Sequence, residues 1–196
     1  PSYLGALQSL VAAEVRVHAV DGDADGLDVD RLADALRRGL APRLVYVVPD
    51  FHNPTGAVLS LQRRRQLTEL SHAHGFFVVE DDPYGELRFA GAATPSIAQS
   101  APGTGHVVRL GSASKILAPG LRIGWMIGPP DVIDAVTRLK QAADLHTPSL
   151  TQLIVASLLR DEPRQERHLD EVRALYRERS CALDEALRTR LGDRLD

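Results

Sequence analysis

The sequence predicts an α/β fold built on a mixed, mostly parallel sheet with helices on both faces, followed by an all-helical stretch. Five short runs rich in Val, Ile and aromatic residues occur up to Ile127, and helical patterns separate the first three of them. Beyond Gly128 the strand-like runs stop, and the rest of the chain shows only helical spacing.

The predicted strands are short, and several are apolar on consecutive positions, as strands buried on both faces should be. They cover Val15 to Val20, Leu44 to Val48, Phe76 to Glu80, Val107 to Leu110 and Leu121 to Ile127. Between the fourth and the fifth there is no room for a helical crossover of roughly a dozen residues. The same segment contains Pro119-Gly120, which would end a helix. We therefore expect the fifth strand to run antiparallel or to leave the parallel set, which makes the sheet mixed.

The helices between these strands are predicted from their caps. Asp28 or Asp30 can cap a helix that runs through Leu36. Ser60 can cap another that ends at Gly75, a residue suited to a left-handed position after a helix.

Three further helices are predicted after the last strand. The first runs from Pro130 to about His146, and the second from about Leu150 to Arg160. Pro163 opens a third, long helix whose apolar residues recur at helical spacing.

Composition and charge argue against several function classes. The formal net charge is −3, so no strongly basic face indicates a nucleic-acid partner. The one basic run, Arg63-Arg64-Arg65, falls in a helical pattern, and we expect it to be a solvated helix face. No apolar run approaches the roughly 18 residues of a membrane helix. A single cysteine, Cys181, allows no disulfide within the chain and fits a reducing, cytoplasmic location.

Four polar clusters lie in loops after predicted strands, where open α/β sheets bind ligands. They are Asn53-Pro54-Thr55-Gly56, Glu80-Asp81-Asp82-Pro83-Tyr84, Gly111-Ser112-Ala113-Ser114-Lys115 and the Pro119 to Trp125 segment with Arg122. Each has a plain structural alternative, such as a β-turn, a helix cap or a surface loop. A magnesium site at the acids would require a GxxxxGK[ST] phosphate loop, and the sequence contains none.

The third and fourth clusters raise further questions. Ser112 to Lys115 also spells S-x-x-K, a serine-nucleophile motif that requires S-x-N and K-T-G partners. Residue 51, two before the sole asparagine, is Phe, K-T-G does not occur, and Pro119-Gly120 cuts the following helix short, so we reject this alternative. Arg122 is a cation in an otherwise apolar strand, where it would require an anionic partner.

His72 and His74 lack an H-E-x-x-H pattern and a cysteine partner, so we predict no metal site.

The order of the motifs Asn-Pro-Thr-Gly, Asp-x-x-Tyr, Ser-x-Ser-Lys and Pro-Gly-x-Arg-x-Gly-Trp resembles the large domain of class I/II, fold-type-I aminotransferases, which use pyridoxal 5′-phosphate. The resemblance extends from Pro1 to at least Gln152. Residues 80–89 and 145–152 are most similar to the 2-aminoadipate aminotransferase-like subgroup. The aminotransferase-like domains of certain transcription regulators are similar to this subgroup, but they tend to carry Tyr-Asp after the acid pair, where this chain has Pro83-Tyr84.

The resemblance implies a role for each matching residue, with Lys115, Asp81 and Tyr84 as the catalytic set. Lys115 would carry the cofactor as a Schiff base and then move the proton between the substrate Cα and the cofactor C4′. Asp81 would pair with the pyridine nitrogen, and Asn53 and Tyr84 would hydrogen-bond the phenolic oxygen of the ring. The Asn53-Pro54 bond would be cis, as is common in this family. The phosphate would be held by Ser112, Ser114 and Arg122.

The resemblance also implies a domain organisation. Residues 1–160 would be the cofactor-binding large domain, truncated at its N-terminus, and residues 161–196 an interdomain helix leading to a truncated C-terminal small domain. The glycine loop for the phosphate and the aromatic that stacks on the ring would precede Pro1, and the arginine for the substrate carboxylate would follow Asp196.

The resemblance implies a function as well. It is the transfer of an amino group between an α-amino acid and a 2-oxo acid by a homodimer, with Thr147-Pro148-Ser149 near the partner subunit. The alternative is the effector domain of a transcription regulator that binds pyridoxal phosphate.

Overall fold

The computed structural model describes residues 2–100 and 105–192, so Pro1 and the last four residues of the predicted interdomain segment 161–196 lie outside the described residues. In chain order the elements are α1 (Leu4–Ala12), β1 (Gly22–Asp23), β2 (Gly26–Leu27), α2 (Val29–Arg37), β3 (Leu44–Val47), α3 (Leu61–His74), β4 (Phe77–Asp81), α4 (Ile97–Ser100), β5 (Val107–Ser112), α5 (Ala113–Ile116), β6 (Gly124–Ile127), α6 (Pro130–Asp144), α7 (Ser149–Arg160) and α8 (Glu162–Leu191). Two 3-10 turns span Gly85–Leu87 and Pro119–Leu121.

The main sheet has the strand order β3-β4-β5-β6. The first three strands are parallel, and β6 runs antiparallel to β5. This confirms the predicted mixed, mostly parallel sheet and the reversed last strand. Only α5 and a 3-10 turn connect β5 to β6, which is too short a connection for a parallel crossover.

One predicted strand is wrong, and another begins late. Residues 15–20 form no strand and are mostly exposed, although they alternate apolar and polar side chains. A strand requires a hydrogen-bonded neighbour, and this segment pairs with none in the described part of the chain. The last strand begins at Gly124 instead of Leu121, because Pro119–Leu121 form a 3-10 turn and Arg122 adopts a left-handed conformation with φ 53°.

The predicted helix ends are confirmed. Asp28 caps α2 by accepting a hydrogen bond from the Arg31 backbone N–H at 3.1 Å. Ser60 caps α3 in the same way, and Gly75 ends that helix with a left-handed φ of 69°. The three later helices lie within a few residues of their predicted bounds.

A hydrophobic core fills the space between the sheet and the helices α2, α3 and α4. Its buried members are Val29, Leu32, Leu36, Val47, Leu59, Leu67, Phe76, Val78 and Ile97. A second, smaller cluster joins α5, the segment before β6 and α7 through Ala113, Ile123 and Val155. The second cluster thus packs the short helix that carries Lys115 against the later helices.

The basic run on α3 is not the uniformly solvated face that we expected. Arg65 is exposed, but Arg64 has no solvent-exposed surface. Arg64 occupies a core-facing position of the helix, next to Leu67 and Thr68 one turn later, and its charge is paired with Asp50 at 3.0 Å. The expectation is therefore wrong for Arg64. No helix within residues 2–100 and 105–192 is long and apolar enough to span a membrane.

Candidate active site

The acidic residues at the end of β4 point in different directions and have different partners. Glu80 lies on the core side of the strand, where it has no exposed surface. Its carboxylate accepts hydrogen bonds from the backbone N–H groups of Ile97 at 2.8 Å and Ala98 at 3.3 Å. Burial raises the pKa of Glu80, and these two hydrogen bonds oppose that shift. Glu80 therefore anchors the start of α4, the helix-capping role that the sequence left open for this cluster.

Asp82, just beyond the strand, is also engaged in structural contacts. Its carboxylate forms an ion pair with Arg109 on β5 at 2.7 Å and accepts from the backbone N–H of Gly85 at 2.9 Å. These contacts fix the Gly85–Leu87 turn that follows Tyr84. Tyr84 itself is half-buried at the start of that turn.

Asp81 is the acid of this group that remains available for a ligand. The phenol of Tyr46, on the neighbouring strand β3, donates a hydrogen bond to Asp81 Oδ2. Burial raises the pKa of the Asp81 carboxyl, and the Tyr46 hydrogen bond opposes that shift. Burial also raises the pKa of the Tyr46 phenol, and the nearby Asp81 raises it further, so this phenol stays protonated at neutral pH.

Tyr46 was missed by the sequence analysis because it stands inside an apolar strand. The sequence nevertheless contains a signal for it. A tyrosine near the end of a buried strand has a hydroxyl that requires a hydrogen-bond partner, and the neighbouring strand ends in acidic residues.

Lys115 lies on α5, directly after β5. Ser112 caps this short helix by accepting from the Ser114 backbone N–H at 3.1 Å. Lys115 is exposed and forms no ion pair with any residue that the structure describes. Because α5 packs against the Gly85–Leu87 turn, the fold brings the Lys115 helix next to the segment that follows Tyr84.

Asn53 lies in an exposed turn beyond β3. The Asn53-Pro54 peptide bond is cis, as the family resemblance implies. The turn is closed on both sides by His52, whose carbonyl accepts from the Gly56 N–H at 2.6 Å and whose N–H donates to the Ala57 carbonyl at 2.9 Å. The Asn53 side chain therefore projects from a closed turn into solvent.

Arg122 differs from its prediction. It is exposed, precedes the strand, and donates to the Pro119 carbonyl at 3.4 Å. It forms no ion pair within the described ranges. The argument that burial in a strand forces an anionic partner on Arg122 is therefore wrong, because water solvates its guanidinium. Its match to the family motif is unaffected.

The topology places most of these residues at one edge of the sheet. Because β3, β4 and β5 are parallel, their carboxyl ends meet there, and this edge carries the Asn53 turn, Asp81 and Ser112. Lys115 follows Ser112 by three residues. Among the described residues, no cluster of three or more His, Cys, Asp or Glu side chains could hold a metal ion.

Comparison with known proteins identifies the family. The model of the family "Aminotransferase class I and II" matches residues 1–194. The chain belongs to the class I and II aminotransferases. The family that the four motifs predicted is therefore confirmed.

This aminotransferase chain is similar to a 2-aminoadipate transaminase of Thermus thermophilus, with 41% identity over 189 residues, which is 95% of this chain and 47% of that enzyme. Among solved structures it is similar to the α-aminoadipate aminotransferase LysN of Thermus thermophilus, complexed with N-(5′-phosphopyridoxyl)-L-leucine. The TM-score is 0.92 at 38% identity, covering 98% of this chain and 49% of LysN. These similarities agree with the predicted subgroup and confirm the fold class. The chain spans about half the length of the curated relatives it matches.

A regulator is also similar to this chain. The uncharacterized HTH-type transcriptional regulator YisV of Bacillus subtilis is 35% identical over 193 residues, covering 98% of this chain and 39% of that protein.

Proposed function

We propose that the full-length protein containing this chain is a pyridoxal-phosphate-dependent aminotransferase that moves an amino group between an α-amino acid and a 2-oxo acid. One observation carries the proposal. In a chain of the class I and II aminotransferases, neighbouring parallel strands bring Asp81 and the Lys115 helix to the same sheet edge. Open α/β sheets bind their ligands at this edge.

The chemistry of these side chains fits pyridoxal phosphate. When bound, this cofactor supplies an aldehyde that takes up an amine and a pyridine ring that withdraws electrons from the substrate α-carbon. Asp81 offers a carboxylate oxygen, Oδ1, that accepts no hydrogen bond from the described residues, which suits the protonated ring nitrogen. Lys115 offers an amine that no described acid holds in an ion pair.

The remaining residues of the motif suit the polar groups of the cofactor. Ser112 uses its oxygen as an acceptor within α5, so its hydroxyl hydrogen is free to be donated to a phosphate oxygen. Ser114 and Arg122 add a second hydroxyl and an exposed guanidinium. Asn53 and Tyr84 would donate to the phenolic oxygen. Once an amino acid has entered, the freed Lys115 amine would take the proton from its α-carbon.

The two lysines of the chain provide a matched test. Lys115 and Lys140 are its only lysines, and Lys140 pairs with Asp144 on the outer surface of α6. We expect pyridoxal phosphate added to the full-length protein to be trapped by borohydride on the peptide that contains Lys115, as measured by mass spectrometry. Lys115→Ala should lose this adduct and amino-group transfer to a 2-oxo acid, whereas Lys140→Ala should keep both. Label on Lys140 alone, or no label in the wild type, would contradict the proposal.

A second candidate is the effector domain of a transcription regulator that binds pyridoxal phosphate. The similarity to YisV favours it. The Pro83-Tyr84 pair disfavours it, because the regulator domains tend to carry Tyr-Asp at this place. Specific DNA binding by the full-length protein, without turnover of any amino acid in a panel, would select the regulator.

We further infer that the full-length protein is a cytoplasmic homodimer without a nucleic-acid or membrane partner. Exposed leucines around the Thr147-Pro148-Ser149 segment support a subunit interface there, namely Leu139, Leu145, Leu150 and Leu153. Light scattering of the full-length protein tests the dimer.

A further inference from the structure

Tyr46 and Asp81 lie side by side on neighbouring strands. Tyr46 on β3 is in register with Val79 on β4, and Asp81 follows Val79 by two residues. Because side chains of a strand alternate between its faces, Tyr46, Val79 and Asp81 share one face, opposite to Glu80. The phenol of Tyr46 then reaches Asp81 Oδ2.

Among residues 2–100 and 105–192, Tyr46 is the one donor of a hydrogen bond to the Asp81 carboxylate. It occupies Oδ2 and leaves Oδ1 open. Asp81 also forms no ion pair with any of these residues, and the Arg109 guanidinium on β5 pairs with Asp82 instead. The titratable groups that act on Asp81 are the Tyr46 phenol on β3 and the Asp82 carboxylate beyond the end of β4. Tyr3 and Tyr84 act in turn on the Tyr46 phenol.

A half-buried carboxylate without a cationic partner tends to take up a proton. Burial and the negative charge of Asp82 both raise the pKa of Asp81. A neutral phenol that donates to the carboxylate favours its ionised form and so opposes this shift. Only the ionised carboxylate forms a charge-assisted pair with a protonated ring nitrogen, because a protonated carboxyl brings no negative charge to that contact.

We infer that Tyr46 is a positioning residue, which by its hydrogen bond to Oδ2 keeps Asp81 ionised and turns Oδ1 toward the pyridine nitrogen of the cofactor. This inference rests on the proposed function. Tyr46 itself touches neither the cofactor nor the substrate in this role; it acts through Asp81. The residue lies outside the four motifs by which the sequence indicates the cofactor site.

The variant Tyr46→Phe tests this role because it removes only the hydroxyl. The measurement is the affinity of the full-length apoprotein for pyridoxal 5′-phosphate, titrated by absorbance between pH 4.5 and 8, a range that lies above the ordinary aspartate pKa of about 3.9. Affinity falls as the pH drops through the pKa of Asp81, and loss of the phenol raises that pKa. We therefore expect the acidic limb of the plot of affinity against pH to move up by about one pH unit, so that affinity at a fixed pH on that limb falls by up to about tenfold.

Two controls separate positioning from general damage. Tyr176→Phe removes the hydroxyl of an exposed tyrosine on α8 and should leave the limb in place. In an Asp81→Asn background the limb that depends on Asp81 is gone, so adding Tyr46→Phe should shift nothing further.

The outcomes distinguish this inference from the proposed function. If the wild-type protein binds no pyridoxal phosphate, the proposed function fails. If the wild type binds it and Tyr46→Phe keeps the wild-type acidic limb, the positioning role is overturned and the proposed function stands. An unchanged limb together with a lower urea midpoint would show that Tyr46 is merely structural, and it would also overturn the inference.

Discussion

The guanidinium of Arg64 lies wholly inside the protein. It donates to the carbonyls of Leu59 at 2.9 Å, Pro95 at 3.1 Å and Pro49 at 3.2 Å, and to the carboxylate of Asp50 at 3.0 Å. Removing a charge from water costs several kcal/mol unless every polar group finds a partner. Here the partners come from two connections, the one between β3 and α3 and the one that precedes α4, so this one side chain ties the end of β3 and the start of α3 to the start of α4.

Arg64→Ala should lower the free energy of unfolding by about 3–5 kcal/mol, because it leaves Asp50 buried with one cation fewer and removes one donor from each of three carbonyls. The matched control is its neighbour Arg65, which is exposed, and Arg65→Ala should change stability by less than about 0.5 kcal/mol. Urea unfolding of both variants measures the difference. Equal losses would show that the burial of Arg64 does not matter for stability.

At the residue scale, the sequence identifies the residues of the candidate site better than it identifies the side chains that they contact. Asp81 and Lys115 were identified because their motifs fall after strands in the right order, and the fold places them at one edge. The partner of Asp81 could not be predicted, because Tyr46 is 35 residues away and their contact depends on the register of β3 and β4. Arg64 shows the same limit, since the run of three arginines from 63 to 65 does not reveal which of them faces the core.

At the element scale, β5 and β6 approach closely where Gly111 faces Trp125. A Cβ atom added to Gly111 would lie 2.2 Å from the indole Nε1 of Trp125, a distance that non-bonded atoms do not adopt. The indole thus covers the glycine immediately before Ser112, and the absence of a side chain at Gly111 allows the two strands to keep their register.

Gly111→Ala should displace the indole and destabilise the protein by about 1–3 kcal/mol, the usual cost of overpacking. Trp125 is the single tryptophan of the chain, so a shift in its fluorescence emission reports the displacement directly. For comparison, Gly120→Ala adds the same methyl group where no atom lies within 4 Å, and its emission should match the wild type. An unshifted spectrum in Gly111→Ala would contradict this account of the β5–β6 contact.

Elements defined by local chemistry were predictable, and those that depend on distant neighbours were not. The caps Asp28, Ser60 and Gly75 act within their own helices, so their residue types suffice. Residues 15–20 have a strand pattern, but a pattern does not supply a hydrogen-bonded neighbour. The reversal of β6 was predictable because it follows from the length of one short connection.

At the scale of the whole molecule, α8 joins the candidate site to the C-terminal part of the chain. Leu169, in its first half, is buried, and His168 contacts the carbonyl of Ile116 at 3.0 Å, one residue from Lys115. Most of the second half is exposed. The proposed boundary between residues 160 and 161 therefore cuts the chain before a helix whose first half packs on the large domain. The two-domain division stays a prediction.

Two arginines of α8 hold the loop after Tyr84 by its backbone. Arg173 donates to the Glu86 carbonyl at 2.9 Å, and Arg177 donates to the Phe89 carbonyl. Each of these hydrogen bonds joins residues more than 80 positions apart in sequence, so it depends on the packing of α8 against the loop. A movement of α8 would consequently reach the loop next to Tyr84 and the Asp82 carboxylate that supports it.

The double variant Arg173→Ala/Arg177→Ala should release this loop without unfolding the sheet. The backbone N–H groups of Leu87 and Arg88, which bond to carbonyls within the turn, should exchange with deuterium about tenfold faster, as expected for the loss of about 1.4 kcal/mol of local stability. Exchange in β4 should stay at the wild-type rate. Arg188→Ala is the matched control, because its ion pair with Asp184 lies within α8 itself. Equal exchange rates in the loop of the double variant and of the control would show that α8 packs against the loop without stabilising it.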